Sequence, residues 1–129
     1  MKRVTGIGGI FFKTQNPKDM EEWYARHLGI VAKPGEGVSF EWRETEHPEH
    51  RGRTVWALFP QDTEYFNPSR APFMINYRVE NLDALLAALR EEGVTVDDRV
   101  EEYDYGRFGW ITDPEGNRIE LWEPPNNQS

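Results

Sequence analysis

The order of hydrophobic and polar residues predicts a strand and then an amphipathic helix at the start of the chain. Residues 4–12 are apolar, β-branched or glycine, which is typical of a buried strand. Asn16 and Pro17 suit the N-cap and the first turn of a helix. The apolar residues that follow have helical spacing: Met20, Trp23, Tyr24, His27 and Leu28. Gly29 is predicted to end this helix.

Short strands are predicted after this helix, over residues 30–33, 38–43 and 53–59. The stretch Pro60–Pro72 carries three prolines and few aliphatic residues, so it is interpreted as the linker between the two halves.

The order of elements then repeats. A strand over residues 72–79 precedes a second helix, which Asn81 caps and Gly93 closes. One face of that helix is apolar, with Leu82, Leu85, Leu86 and Leu89. The last strands are predicted over residues 94–103, with a break near Asp97, and over residues 107–112 and 118–122. Asp113–Asn117 is predicted to be the turn between the final two strands.

Each half therefore contains a strand, a helix and then three strands, which predicts an α+β fold of two βαβββ modules in a pseudo-two-fold arrangement. The chain has 129 residues, enough for a single domain. Its expected divisions are module 1 at residues 1–60, a linker at 61–71, module 2 at 72–123 and a tail at 124–129. Neither half alone would bury enough surface to be stable, so the halves are expected to pack together.

Composition excludes several function classes. The net charge of −8 disfavours nucleic-acid binding, because phosphate backbones repel an acidic chain. The absence of cysteine excludes disulfides, thiolate metal sites and thiol nucleophiles. Since no apolar stretch could span a bilayer and the N-terminus lacks a signal-peptide core, no membrane association is expected, and a cytoplasmic location is predicted.

The other candidate motifs favour ordinary structural roles. Pro48 lies between His47 and His50 and disfavours a helical metal pair, so both histidines are expected in a surface loop. His27 is expected to pack beside the helix stripe. The glycines of Gly6–Gly9 lack dinucleotide-binding spacing. Tyr103–Gly106 is interpreted as a loop that either gates a cavity or simply forms a turn.

Three segments resemble the glyoxalase/bleomycin-resistance/dioxygenase superfamily, also called the vicinal-oxygen-chelate (VOC) superfamily. They are the opening strand and helix from Gly6 to Gly29, the second helix from Asn81 to Val94, and above all the closing hairpin from Tyr105 to Trp122. The resemblance implies a curved mixed sheet around a cavity that binds small molecules, and often a divalent metal held by four inward side chains. The family's metal positions correspond here to Gly9, Ala57, Met74 and Glu120. Only Glu120 matches, because the other three offer no ligand or a soft thioether. No metal is therefore expected at the usual site.

Strand alternation from these positions predicts the residues that face the cavity. If Gly9 faces the cavity, Ile7 and Phe11 are expected to face it too, since each lies two residues away on the same strand. Glu120 is the candidate catalytic residue, as a general base or a contact to a cationic or hydroxyl group. Alternatively, it is an inherited carboxylate neutralised by Arg78, Arg118 or a backbone donor. The candidate ligand-binding residues are Phe11, Phe40, Trp42, Ala57, Phe59, Met74, Asn76, Arg78, Phe108 and Trp122. Alternation leaves open whether Phe40 and Trp42, or Glu41 and Arg43, point inward.

Taken with the resemblance, these observations predict a small-molecule-binding protein without the usual metal, and the resemblance implies a homodimer. A sequestering role like that of bleomycin-resistance proteins is one form, and the acidic charge would suit a cationic ligand. The alternative is a lyase, isomerase or dioxygenase acting on a small oxygenated metabolite, with Glu120 as metal ligand or general base. A third alternative is a structural or regulatory module with a collapsed cavity.

Overall fold

One mixed sheet carries both halves of the chain. The computed structural model describes residues 2–33 and 36–125. Within them the elements are β1 (Val4–Thr14), α1 (Pro17–Leu28), β2 (Val38–Arg43), β3 (Arg51–Pro60), β4 (Phe73–Val79), α2 (Leu82–Glu91), β5 (Thr95–Tyr103), β6 (Gly106–Thr112) and β7 (Arg118–Glu123). The strand order is β2-β3-β1-β4-β7-β6-β5. The predicted α+β architecture is confirmed.

The two halves meet at the centre of the sheet, where β1 and β4 pair in antiparallel fashion. On either side the arrangement is matched, since β3 is parallel to β1 and β7 is parallel to β4. These are the pairings that a duplicated module would give, because each closing strand returns beside its own opening strand.

Both helices begin at the predicted capping residues. Asn16 Oδ1 accepts a hydrogen bond from the backbone N–H of Asp19 at 3.3 Å, and Asn81 Oδ1 accepts one from Ala84 at 3.1 Å. Gly29 follows α1 with φ of 69°, a left-handed conformation that glycine adopts without strain. The local signals therefore determine where the helices start and where α1 stops.

The helices are buried to very different extents. Leu82, Leu85 and Leu86 of α2 are buried and pack with Val79 and Leu121 of the sheet. Burial of each such leucine stabilises the fold by about 1.5–3 kcal/mol. This cluster fixes α2 on the second half of the sheet.

No residue of α1 is buried. Tyr24 contacts the rings of Phe12 and Trp56, with centroid distances of 6.0 and 4.9 Å, but Trp23 remains 50% exposed. His27 packs beside the stripe, with its ring centroid 5.0 Å from that of Trp23, but it is exposed and adds nothing to the core. The apolar stripe predicted for α1 is therefore only partly covered.

Residues 30–33 do not form the predicted strand. In the described part of this segment only Lys33 makes a bridge, to Gly37. The apolar run is short, and Pro34, which cannot donate to a ladder, follows it directly. The first half therefore has two regular strands after its helix, and the second half has three.

Bulges in β1 change which side chains face which side. The register between β1 and β4 shifts between Val4 and Gly6, and again between Ile7 and Gly9. Ile7 pairs with Tyr77, which packs under α2, so Ile7 lies on the helix-covered face and not inward with Gly9. A further shift in β5, between Val96 and Val100, agrees with the break predicted near Asp97.

The opposite face of the sheet carries a second core. We call it the helix-free face, because α1 and α2 both pack on the other side. Its buried residues are Phe11, Phe66, Met74 and Trp110. Phe66 belongs to the segment between β3 and β4, so this segment folds back over the sheet. No helix in the described part of the chain has the length and hydrophobicity needed to cross a membrane.

Candidate functional site

Glu120 lies at the centre of the helix-free face and is only 2% exposed. The sheet places it between Trp110 of β6 and Asn76 of β4, its partners in the strand register. Asn76 Nδ2 donates to Glu120 Oε1 at 2.6 Å, and Trp110 Nε1 donates to Oε2 at 3.0 Å. The hydroxyl of Tyr65 also donates to Oε2. Three uncharged donors from three parts of the chain therefore hold the carboxyl group.

Within residues 2–33 and 36–125, no cation forms a salt bridge with this carboxyl group. Neither Arg78 nor Arg118 forms a salt bridge with Glu120 in the described structure; Arg78 faces Glu44 at 3.5 Å, and Arg118 faces Asp97 at 3.5 Å. The direct partner of the carboxyl group is therefore neither an arginine nor a backbone donor, although the charge of Arg118 also favours its ionised form. Side-chain amide, indole and phenol donors fill this role.

Burial determines the proton affinity of the site. It raises the pKa of Glu120 above its ordinary value, although the hydrogen bonds from Tyr65, Asn76 and Trp110 act in the opposite direction. Burial also raises the pKa of Tyr65, and the adjacent Glu120 carboxylate adds to that effect. Tyr65 therefore keeps its proton and acts as a donor.

The segment between β3 and β4 supplies Tyr65 to the site. The Tyr65 ring stacks on Phe59, with centroids 5.7 Å apart and an interplanar angle of 6°, and meets Trp110 edge-on at 6.5 Å. A guanidinium N–H of Arg118 donates to the backbone carbonyl of Tyr65. The neighbouring Phe66 is fully buried. The predicted linker is thus an ordered part of the helix-free face.

The structure brings most of the predicted ligand-binding residues together. Phe11, Ala57, Phe59, Met74 and Phe108 all belong to the cluster around Phe66 or pack against it. Asn76 contacts Glu120. Trp122 stacks on Phe108, with centroids 6.4 Å apart, and its indole N–H donates to the Tyr105 carbonyl.

Arg78 and Trp42 lie together at one end of the sheet. The guanidinium carbon of Arg78 is 5.7 Å from the centroid of the Trp42 ring, and its Nη1 donates to Thr5 Oγ1 at 3.0 Å. Phe40 is 49% exposed and lies outside the Phe66 cluster. Trp42 and Arg78 therefore form a group separate from Glu120, and Phe40 joins neither group.

A polar cleft of about 260 Å³ opens beside Arg78. Glu44, His47 and His50 line it together with Lys2 and Glu80. The side chains of His47 and His50 are 55% and 44% exposed, as expected for a surface loop.

The residues around Glu120 do not fit a divalent metal. Among the described residues, no group of three or more His, Asp or Glu could hold a metal ion. Of the other three family positions, Gly9 and Ala57 carry no donor and Met74 carries a soft thioether. The oxygens nearest to Glu120 belong to an amide, Asn76, and to a protonated phenol, Tyr65.

One acceptor at the site is left unpaired. Asn76 Oδ1 is buried and has no hydrogen-bond partner within the described structure. It points at Gly8, where an added Cβ atom would lie only 2.2 Å from it. A side chain at position 8 would therefore collide with the amide that holds Glu120.

Sequence reasoning missed Tyr65, Phe66 and Trp110. Trp110 had a usable signal, because closing the hairpin at the turn Asp113–Asn117 sets Trp110 directly opposite Glu120. Tyr65 and Phe66 had only a weak one, two adjacent aromatic residues in a proline-rich segment. The contact between Tyr65 and Glu120 is a long-range one that local pattern does not reveal.

Known structures share this fold. Methylmalonyl-CoA epimerase in complex with methylmalonyl-CoA and NH4+ is similar with a TM-score of 0.69 and 18% identity, over 98% of this chain and 99% of that one. The methylmalonyl-CoA epimerase of Mycobacterium tuberculosis gives a TM-score of 0.58 and 21% identity, over 96% and 91%. The Mn(II)-bound glyoxalase of Novosphingobium aromaticivorans gives 0.58 and 17%, over 95% of this chain and 40% of that one. At these identities the likeness establishes the fold alone.

Sequence comparison identifies the family. A search of curated proteins found no match. The family model described as a glyoxalase-like domain matches residues 9–122, which include both helices and the Glu120 hairpin. The chain therefore belongs to the glyoxalase-like domain family, within the vicinal-oxygen-chelate superfamily.

Proposed function

We propose that this protein binds a small molecule on the helix-free face of its sheet, without the divalent metal that many relatives use. The environment of Glu120 supports this proposal most directly. Both oxygens of its carboxyl group already accept hydrogen bonds from neutral donors. A metal would have to displace these donors and would find too few charged ligands to replace them.

The surroundings of Glu120 suit an organic ligand better. Phe59 and Phe108, together with Trp122, give large apolar contacts, and Glu120 and Asn76 are the convergent polar groups. Apolar walls with a few oriented polar groups are the usual make-up of a small-molecule site.

The alternative function is an enzyme, a lyase, isomerase or dioxygenase in which Glu120 acts as metal ligand or as general acid or base. One observation favours the acid–base form. Burial raises the pKa of Glu120, so its carboxyl group holds a proton at a higher pH than an exposed glutamate does. Such an enzyme would lose turnover in Glu120→Gln and keep it in Phe40→Ala, since Phe40 lies outside the cluster.

Calorimetric titration with Mn²⁺, Fe²⁺, Co²⁺, Ni²⁺ and Zn²⁺ tests the metal-free proposal. The wild-type protein is expected to show no micromolar one-to-one binding. Micromolar binding that disappears in Glu120→Gln would overturn the proposal. Binding that persists in Glu120→Gln would place the metal elsewhere, for example among the histidines at positions 47 and 50, and would leave the Glu120 site without a metal.

A thermal-shift screen separates the remaining functions. Stabilisation by cationic aromatic compounds would support sequestration, for which the net charge of −8 is suited. Stabilisation by electrophilic oxygenated metabolites would support the enzymatic alternative. Failure of both classes would favour a structural module, with the aromatic cluster as a second core.

The homodimer and the cytoplasmic location belong to the same proposal. Light scattering coupled to size exclusion measures the first, and a mass of one chain would contradict it. Fractionation of cells that express the tagged protein measures the second.

A further inference from the structure

Tyr65 differs from the other side chains that hold Glu120 in the way the chain presents it. Asn76 and Trp110 lie on β4 and β6, where the strand register fixes them beside Glu120. Tyr65 comes from the connecting segment and reaches the carboxyl group from above the sheet. Its side chain could leave Glu120 without breaking a strand pairing.

The neighbouring residue anchors this segment independently of the Tyr65 side chain. Phe66 is fully buried, and Lys13 Nζ lies 5.4 Å from the centroid of its ring. The Tyr65 carbonyl, which belongs to the backbone, accepts the hydrogen bond from Arg118. Tyr65 itself is only partly buried. The segment can therefore stay in place while the phenol ring rotates away.

The space that the Tyr65 ring fills has a defined chemistry. Phe59 provides a parallel face at 5.7 Å and Trp110 a perpendicular edge at 6.5 Å, so the slot accepts a flat ring. Glu120 Oε2 lies at its inner end and accepts a hydrogen bond there. A ligand that carries no hydrogen-bond donor would leave Glu120 Oε2 without the hydrogen bond that Tyr65 otherwise provides.

The geometry points to Tyr65 as an internal stand-in for the ligand: the protein binds an uncharged planar ring bearing one O–H or N–H donor, which displaces the Tyr65 phenol and donates to Glu120. This inference rests on the proposed function, since a metal on Glu120 would occupy the same oxygen. It adds the class of ligand and makes Tyr65 a gate that competes with it.

Affinities for phenol, toluene and benzoate test the inference in the full-length wild type, Tyr65→Phe and Tyr65→Ala. Phenol is expected to bind Tyr65→Ala most tightly, Tyr65→Phe less tightly and the wild type least, because each step restores more of the competing side chain. The hydrogen bond should make phenol about tenfold tighter than toluene in Tyr65→Ala. Benzoate should not bind, since its charge would face the Glu120 carboxyl group.

Tyr24→Phe is the matched control, because it removes a phenol hydroxyl on the helix-covered side, where Tyr24 packs on Trp56. Its phenol affinity should equal that of the wild type. Equal phenol affinity in the wild type and Tyr65→Ala would overturn the inference. So would equal affinity of Tyr65→Ala for phenol and toluene. If Tyr65→Ala fails to fold, Tyr65→Phe still decides, since it must bind phenol more tightly than the wild type does. Metal binding lost in Glu120→Gln is the separate result that would sink the proposed function.

Discussion

Asn76 and Glu120 in the second half of the sheet occupy the positions that Phe11 and Ala57 occupy in the first. Asn76 and Phe11 each lie five residues before the asparagine that caps the following helix. Phe11 lies in register with Ala57 on the parallel strand β3, and Asn76 lies in register with Glu120 on the parallel strand β7. The backbone arrangement is thus repeated, whereas the side chains are polar in one half and apolar in the other.

This difference shows how the fold accommodates a single buried acid. The apolar pair needs no partner and packs into the cluster around Phe66. The polar pair needs hydrogen-bond donors to the Glu120 carboxyl group, and β4 and β7, the strands that carry the pair, supply only Asn76. Trp110 and the connecting segment supply the rest. The segment between the halves therefore packs into the aromatic cluster and also completes the polar side of the site.

The largest expected effect on stability comes from truncating Phe66, the buried residue that anchors the segment between β3 and β4. Phe66→Ala should lower the free energy of unfolding by about 3–5 kcal/mol, because it leaves a cavity in the core of the helix-free face. Phe40→Ala is the control, since Phe40 is half exposed, and it should cost less than about 1 kcal/mol. Urea denaturation measures both. Equal losses would mean that the segment does not hold the face together.

A second prediction uses pH to isolate the contribution of Glu120 to the stability of the fold. The pKa of Glu120 is raised in the folded protein, so the folded state binds its proton more tightly than the unfolded state does. The stability from this group is full below the unfolded pKa and is lost as pH rises through the folded pKa. Wild type should therefore lose stability relative to Glu120→Gln on going from about pH 4 to pH 8, by at most about 1.4 kcal/mol per pH unit.

Denaturation of both proteins across this range measures the difference in slope. Glu120→Gln removes the titration of this carboxyl group, so any pH dependence shared by the two proteins comes from other groups. A difference of opposite sign, with wild type gaining relative stability as pH rises, would mean that the groups favouring the Glu120 carboxylate outweigh its burial.

The smallest effect is expected from one hydroxyl. Tyr65→Phe keeps the ring on Phe59 and removes one of the two donors to Glu120 Oε2, so it should cost roughly 1–2 kcal/mol. Tyr24→Phe, on the helix-covered side, should cost less than about 0.5 kcal/mol. Thermal unfolding of the two variants side by side tests whether the segment donates to the polar pair or merely covers it.

Sequence alone predicted the parts of this molecule that local signals encode. The caps at Asn16 and Asn81, the turn at Asp113–Asn117 and the leucine face of α2 are determined by residues close together in the chain. The resemblance to the family implied that Glu120 faces inward, and its burial agrees with that placement.

The remaining errors come from features that local pattern does not encode. Alternation failed at Ile7 because β1 contains bulges, which insert a residue without a clear sequence mark. The partners of Glu120 were misassigned because Tyr65 meets it only after the connecting segment folds across the sheet. The strand expected at residues 30–33 had suitable residues but no neighbouring strand to pair with along its length.

The account's central claim is that neutral side-chain donors, not a metal ion, satisfy Glu120. Anomalous diffraction from crystals soaked in Mn²⁺ tests this most directly, because it locates the ion relative to the carboxyl oxygens. The account predicts no peak near Glu120 and Tyr65 still within hydrogen-bonding distance of it. A peak at roughly 2.0–2.5 Å from a Glu120 oxygen, with other protein donors completing the shell, would contradict it.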